Sequence, residues 1–93
     1  MNGRDGFKAE VRRQVAATLM QGAARRPLEL AVAAIHRALR EQGRWESPNG
    51  QWRMLVDGRT LITQRSAGSG WETVMTGLVP GPEPARQHDE KPL

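Results

Sequence analysis

The first half of the chain repeats apolar residues every three or four positions, the spacing of a helix that buries one face. The first stripe contains Phe7, Val11, Val15, Ala16, Leu19 and Met20. Five polar residues lie off this stripe: Lys8, Glu10, Arg12, Arg13 and Gln14. We expect Asp5 to cap the start of this helix and Gly22 to end it, because both residue types are favoured at those positions.

A second helical stripe follows after a short link. It contains Leu28, Val32, Ile35 and Leu39. Pro27 suits the first turn of this helix, and Gly43 suits its end. Because the link at residues 23–26 is short, the two helices are predicted to lie antiparallel.

Beyond Gly43 the period of the pattern falls from about 3.6 residues to about 2, which predicts strands. The predicted strands cover residues 44–46, 51–56, 59–64 and 71–76. Residues 47–50 read as a turn, Asp57-Gly58 as a two-residue hairpin turn, and residues 65–70 as a flexible loop.

The Asp57-Gly58 turn also predicts the register and the two faces of the sheet. Three pairs follow from it: Val56 opposite Arg59, Met54 opposite Leu61, and Trp52 opposite Thr63. Because side chains alternate along a strand, these six residues share the face expected beneath the helices. The other face is half polar and is either solvated or a contact surface. It carries Arg53, Leu55, Thr60, Ile62 and Gln64.

Together these elements predict an α+β fold, with two antiparallel helices packed on a small antiparallel β-meander. The order is ααβββ or, with a fourth short strand at residues 44–46, ααββββ. We expect a single domain at residues 1–77. Residues 78–93 hold four prolines and few apolar residues, and are predicted to form a disordered tail.

Composition limits the classes of protein that fit. The 93 residues include no cysteine, which excludes disulfides and cysteine-based zinc sites. The apolar runs are much shorter than the roughly 20 residues of a membrane-spanning helix, so no membrane partner is expected. The N-terminus lacks the apolar stretch of a secretory signal, and the cytoplasm is the expected location.

The positive charge belongs to the part of the chain expected to fold. Residues 1–76 carry 12 basic and 7 acidic residues, a net charge of +5, whereas residues 77–93 carry 2 and 3, a net charge of −1. Arginine accounts for 12 of the 14 basic residues of the chain. A genome rich in GC favours arginine codons, and a surface that binds phosphate or carboxylate favours guanidinium groups. The second interpretation predicts a nucleic acid or an acidic protein as partner.

The residues predicted to bind nucleic acid are arginines of the helices and the junctions that follow them, together with one tryptophan that follows the glycine-rich loop. They are Arg12, Arg13, Arg25, Arg26, Arg37, Arg40, Arg44 and Trp71. Arginines bind phosphates, and an exposed tryptophan stacks on bases. The alternative is a solvated helix face and a tryptophan in the core.

A catalytic alternative rests on the one histidine of the folded part, His36. Glu29, His36 and Arg40 form a ridge beside the second apolar stripe. With Arg53 or Arg65 from the sheet, His36 and Arg40 would supply the acid–base and guanidinium groups of a metal-independent ribonuclease. The competing interpretation is an exposed helix edge, on which these side chains are only solvated.

Other kinds of chemistry find no support in the sequence. Residues 67–70 precede a predicted strand and lack a neighbouring lysine, unlike a phosphate-binding P-loop. No cluster of residues has metal-ligand spacing, and no cofactor is expected. We therefore favour a small basic binding module without catalytic activity. A ribonuclease or toxin-like domain, and a phage or plasmid accessory protein that forms homo-oligomers through its sheet edge, are the alternatives.

Overall fold

Both predicted stripes form helices in the structure, a computed structural model that describes residues 3–80, with side chains from residue 6 onward. Helix α1 is Gly3–Ala17 and helix α2 is Arg25–Gln42. The cap prediction is wrong for Asp5, which lies within α1 instead of before it. The prediction that Gly22 ends this helix is also wrong, because α1 ends at Ala17 and the chain continues in turns that include Leu19 and Met20. Gly22 closes these turns with a left-handed φ of 80°.

Helix α2 ends as its sequence predicts. Gly43 adopts the left-handed conformation with φ 79°, and its N–H donates to the carbonyl of Leu39 at 2.9 Å. Pro27 lies in the first turn, where its missing N–H removes no helical hydrogen bond. All four residues of the predicted stripe are buried, from Leu28 to Leu39.

Four antiparallel strands follow the helices, which confirms the α+β fold with the short additional strand. They are β1 (Arg44–Glu46), β2 (Trp52–Asp57), β3 (Thr60–Ala67) and β4 (Gly70–Leu78), adjacent in that order. The prediction of a flexible loop at residues 65–70 is wrong. Strand β3 continues to Ala67, pairs there with Gly70, and turns through Gly68, which has a φ of 62°.

The predicted hairpin register is also wrong, by two residues. Val56 pairs with Leu61, Met54 with Thr63 and Trp52 with Arg65. The turn residues are Gly58 and Arg59, with Gly58 at φ 66°, because a two-residue hairpin with glycine first requires a positive φ at that position. A slip of two residues leaves every side chain on its predicted face, since the period is 2.

The two helices cover one face of this sheet. Helix α1 contacts β3 and β4, and α2 contacts β1 and β2. The buried apolar residues between the layers are Val11, Val15, Leu28, Val32, Ile35, Leu39, Met54, Leu61 and Val79. The face predicted beneath the helices is therefore the core face, with Trp45 and Val56 packed at its margin.

Ordered structure extends past the predicted domain boundary at Gly77. Leu78 completes β4, and Val79 is 5% exposed and joins the core. The N–H of Val79 donates to the carbonyl of Arg59 at 2.8 Å, which ties this end of the chain to the β2–β3 turn. Most of the predicted tail, residues 81–93, lies outside the described residues.

Two polar side chains, Gln14 and Thr63, are fully buried between α1 and the sheet. Gln14, which the sequence pattern places off the apolar stripe, is 0% exposed. Its Nε2 donates to the carbonyl of Leu61 at 3.0 Å and to Glu10 Oε2 at 2.8 Å. Its Oε1 accepts from Thr63 Oγ1 at 2.6 Å. The amide thereby joins α1 to two residues of β3, and both of its polar atoms are paired.

Glycine at position 77 of β4 leaves room for two side chains of α1. Gly77 pairs with Leu61 on the core face, beneath the side chains of Glu10 and Arg13. A Cβ at Gly77 would overlap the Glu10 carboxylate and stand 2.8 Å from Arg13 Nη2. That carboxylate is held by Arg13 and Gln14, so a side chain at Gly77 would have to displace it from these hydrogen bonds.

The first prediction concerns the buried amide. We expect Gln14→Leu to lower the free energy of unfolding by about 2 kcal/mol, because it strands the buried Thr63 hydroxyl and the Leu61 carbonyl. Urea denaturation measures this loss, and Gln42→Leu, at an exposed position of α2, is the control. Adding Thr63→Val to Gln14→Leu should restore part of the loss, since an apolar pair leaves no hydroxyl unpaired. Equal stabilities of the Gln14→Leu and Gln42→Leu variants would contradict this account.

The second prediction concerns the close approach at Gly77. We expect Gly77→Ala to destabilise the fold by about 1–3 kcal/mol, the usual range for overpacking. Gly70→Ala is the matched control, because the space around Gly70 is open within 4 Å. In a Glu10→Ala background the cost of Gly77→Ala should shrink, because the overlapping carboxylate is gone. An unchanged cost in the thermal or urea denaturation of that double variant would rule out this contact as its cause.

The third prediction is a pH dependence of stability. The hydrogen bond from Arg13 is the main cause that lowers the pKa of Glu10 below its ordinary value of 4.5, while burial opposes the shift. Because its pKa is lower in the folded state, the ionised carboxylate stabilises the fold at pH values above the unfolded-state pKa. This contribution is lost as the pH falls through the folded-state value. We expect the stability advantage of the parent over Glu10→Gln, measured by urea denaturation from pH 7 to pH 3, to decrease with acidification. A difference in stability between the two proteins that stays constant over this pH range would contradict the prediction.

Candidate functional site

The face of the sheet that points away from the helices carries the densest group of polar and aromatic side chains suited to binding. We call it the open face. It includes Arg44, Glu46, Arg53, Leu55, Ile62, Gln64, Trp71 and Thr73. The alternation along each strand assigns these residues, because their neighbours Trp45, Met54 and Thr63 belong to the core side.

A β-bulge in β4 places Trp71 on this face. Strand β4 has one extra residue, Val74, because Thr63 pairs with Met75 while Gln64 pairs with Thr73. Beyond the bulge, Ser66 pairs with Trp71. Trp71 and Thr73 therefore share a face with Gln64, as the alternation requires.

Three strands join in one row of contacts across the open face. The Arg53 guanidinium carbon lies 4.4 Å from the centroid of the Trp71 ring, a cation–π contact. Arg53 Nε donates to Gln64 Oε1 at 2.6 Å, and Gln64 Nε2 donates to Thr73 Oγ1 at 3.1 Å. The guanidinium plane is thus held over the indole by its own hydrogen bond.

A groove of about 580 Å³ borders this row, between the end of α2 and the β1–β2 pair. Arg44 and Arg53 both line it, together with Glu46 and Leu55. Glu46 pairs with Arg53 in the strand register, and Arg44 pairs with Leu55. Two guanidinium groups and one carboxylate therefore share this end of the open face.

Ion pairs engage three of the seven basic side chains that the helices carry within residues 6–80. Four pairs are present among residues 6–80: Arg12–Glu29 at 2.7 Å, Arg13–Glu10 at 2.6 Å, Arg37–Glu41 at 3.3 Å and Arg65–Glu72 at 3.3 Å. Within the same residues, seven basic side chains form no ion pair: Lys8, Arg25, Arg26, Arg40, Arg44, Arg53 and Arg59. Only two acidic side chains there are likewise unpaired, Glu46 and Asp57. Four of the seven lie on the helices, Arg44 and Arg53 lie on the open face, and Arg59 lies in the β2–β3 turn.

The structure divides the predicted nucleic-acid-binding residues between two sides of the molecule. The six helical arginines belong to the helical layer: Arg12, Arg13, Arg25, Arg26, Arg37 and Arg40. Arg44 and Trp71 lie on the open face, on the other side of the sheet. The structure does not join the eight residues into one surface, and three of the helical arginines are engaged by glutamates.

The residues of the ribonuclease hypothesis are not brought together either. His36 is not at a solvated edge: it is 8% exposed, and its ring packs edge-on against Phe7 with centroids 4.9 Å apart. Arg40 is exposed on α2, whereas Arg53 lies on the opposite side of the sheet from the core that holds His36. Arg65, the other sheet arginine considered, pairs with Glu72.

Sequence reasoning missed Gln64 and Thr73 as members of the row. The alternation did assign Arg53 and Gln64 to the half-polar face, so part of the signal was present. No pattern in the sequence predicts the bulge at Val74, and this bulge determines the face of the sheet on which Trp71 lies. Strand β4 lies at the edge of the described sheet, and pairing between copies through that edge stays a prediction.

Comparisons with known proteins give no match to a family model, to a curated protein or to a solved structure. The described helices include none long and apolar enough to cross a membrane. Among the same described residues, no group of three or more His, Cys, Asp or Glu side chains is arranged to hold a metal ion.

Proposed function

We propose that this protein is a non-catalytic binding module that holds an anionic partner, a nucleic acid or an acidic protein, on its open face. The observation that carries the proposal is the Arg53–Trp71 contact at 4.4 Å beside a groove that Arg44 also lines. These two arginines form no ion pair among the described residues, so a partner's anionic groups meet them without displacing a carboxylate.

The rest of the open face is also suited to binding a partner. Leu55 and Ile62 pair in neighbouring strands and are half-buried, which provides apolar area next to the charged groove. A contact surface of this kind combines a small apolar centre with charged groups around it. The surplus of unpaired cations in the folded chain would also attract an anionic partner over a distance and accelerate the encounter.

The fourth prediction tests this function with two anionic probes, a labelled single-stranded oligonucleotide and a labelled peptide of Asp and Glu. We expect the parent to bind at least one probe at low salt in fluorescence anisotropy, with affinity that falls as salt rises. The Arg44→Ala/Arg53→Ala variant should bind about tenfold more weakly or worse, the equivalent of about 1.4 kcal/mol.

The matched control removes two arginines from the helical layer, Arg12→Ala/Arg37→Ala. It changes the net charge equally, yet its arginines are held by glutamates on the other side of the sheet. We expect at most a two- to threefold loss for this control. Equal losses for both double variants, or no binding of either probe by the parent at low salt, would overturn the proposal.

A further inference from the structure

We infer that the partner of the open face is a single-stranded nucleic acid, one base of which stacks on the Arg53–Trp71 pair while its phosphates meet Arg44. This inference rests on the proposed function and specifies the partner. It depends on the contacts that distinguish a base from a carboxylate.

The first step concerns the planar groups. Trp71 is half-buried in β4, and the Arg53 guanidinium lies 4.4 Å from its ring centroid. Bases stack on tryptophan rings and on guanidinium planes alike, because each is flat and polarisable. Arg53 and Trp71 thus form a short stack that a base extends.

The second step concerns the groups around that stack. Gln64 and Thr73 lie in the same row as Arg53 and carry an amide and a hydroxyl. Such groups donate to and accept from the edge of an unpaired base. The half-buried pair Leu55 and Ile62 forms the adjacent row and offers apolar contact to a neighbouring base or sugar.

The third step concerns charge. Arg44 is exposed on β1 at the groove that Arg53 also lines, and an anion there meets two guanidinium groups. A phosphate backbone supplies anions beside each base, whereas an acidic peptide supplies carboxylates without planar rings. The face of an aromatic ring is electrostatically negative, so Trp71 adds nothing favourable for a carboxylate. In a duplex, the bases are paired and stacked on each other, which leaves no base free to stack on Trp71.

The carboxylate of Glu46 provides a further test of phosphate binding. Its carboxylate lies on the open face in register with Arg53 and forms no ion pair among the described residues. It would repel a neighbouring phosphate. We therefore expect Glu46→Gln to tighten the binding of an oligonucleotide by about two- to fivefold at low salt, in line with one removed like charge near a surface.

The fifth prediction, and the decisive experiment, compares single strands of equal charge with one another and with a duplex. The full chain is titrated with a 12-nucleotide single-stranded DNA, the corresponding RNA, the same backbone with abasic sites, and the duplex. We expect the intact single strands to bind about tenfold or more tightly than the abasic strand, because stacking contributes about 1–3 kcal/mol per base. The RNA and DNA arms show whether the 2′-hydroxyl contributes to binding.

Variants locate the stacking site. Trp71→Leu keeps an apolar side chain and removes the ring. It should lose about tenfold toward the intact strand while leaving the abasic strand unaffected. Trp52→Leu is the matched control, because Trp52 also stands near an arginine, Arg65 at 5.8 Å, but on the core side of the sheet. Urea denaturation verifies that both variants fold, and Trp71→Phe, which keeps a ring, should retain most of the affinity.

The outcomes separate this inference from the proposed function. Equal affinity for intact and abasic strands would refute base stacking, yet leave an anion-binding module in place. Tighter binding of the acidic peptide than of either single strand would assign the open face to a protein partner. Duplex binding as tight as single-strand binding would also overturn the inference. Failure of every probe would remove both proposals together.

Discussion

The fold depends on one buried amide. Gln14 links α1 to β3 through the Leu61 carbonyl and the Thr63 hydroxyl, and it also holds the Glu10 carboxylate. Glu10 in turn holds Arg13 above Gly77, where a larger residue would displace the Glu10 carboxylate. These contacts set the distance and the rotation of the helix relative to the sheet. Packing of the apolar side chains already restricts this arrangement, and the paired polar groups specify it further.

The spacing of apolar residues was sufficient to predict the helices, the strands and their buried faces. Leu28 and Leu39 are buried as the helical spacing requires, and Met54 and Leu61 share the core face as the alternation requires. It was not sufficient for the buried Gln14, because polarity alone assigns a glutamine to solvent. The fit of an amide between a helix and a strand is a tertiary property, and a pattern of polar and apolar residues does not contain it.

The turn residues and the ion pairs could not be predicted from the sequence for similar reasons. Asp57-Gly58 does mark a hairpin, but the turn residues are Gly58 and Arg59, since the left-handed φ falls on the first turn position. Counting arginines identifies a basic chain, yet it does not show that Glu10 and Glu29 occupy two of them. Four basic side chains of the helices also form no ion pair among the described residues, so the candidate site on the strands is distinguished by the contact of Arg53 with Trp71 beside Arg44.

The bulge at Val74 divides β4 into two parts with separate roles. Met75 and Gly77 face the helices on one side of it, and Trp71 and Thr73 face outward on the other. If β4 paired with β3 without the bulge, Val74 would lie opposite Gln64 and Glu72 opposite Ser66, so Glu72 would replace Trp71 on the outer surface. The pairing nearer to Leu61 would keep its register. The bulge thus determines which side chains the distal part of β4 displays, while the part that packs against α1 keeps its pairing, so the outer surface of the strand and its buried surface are set by separate stretches of the chain.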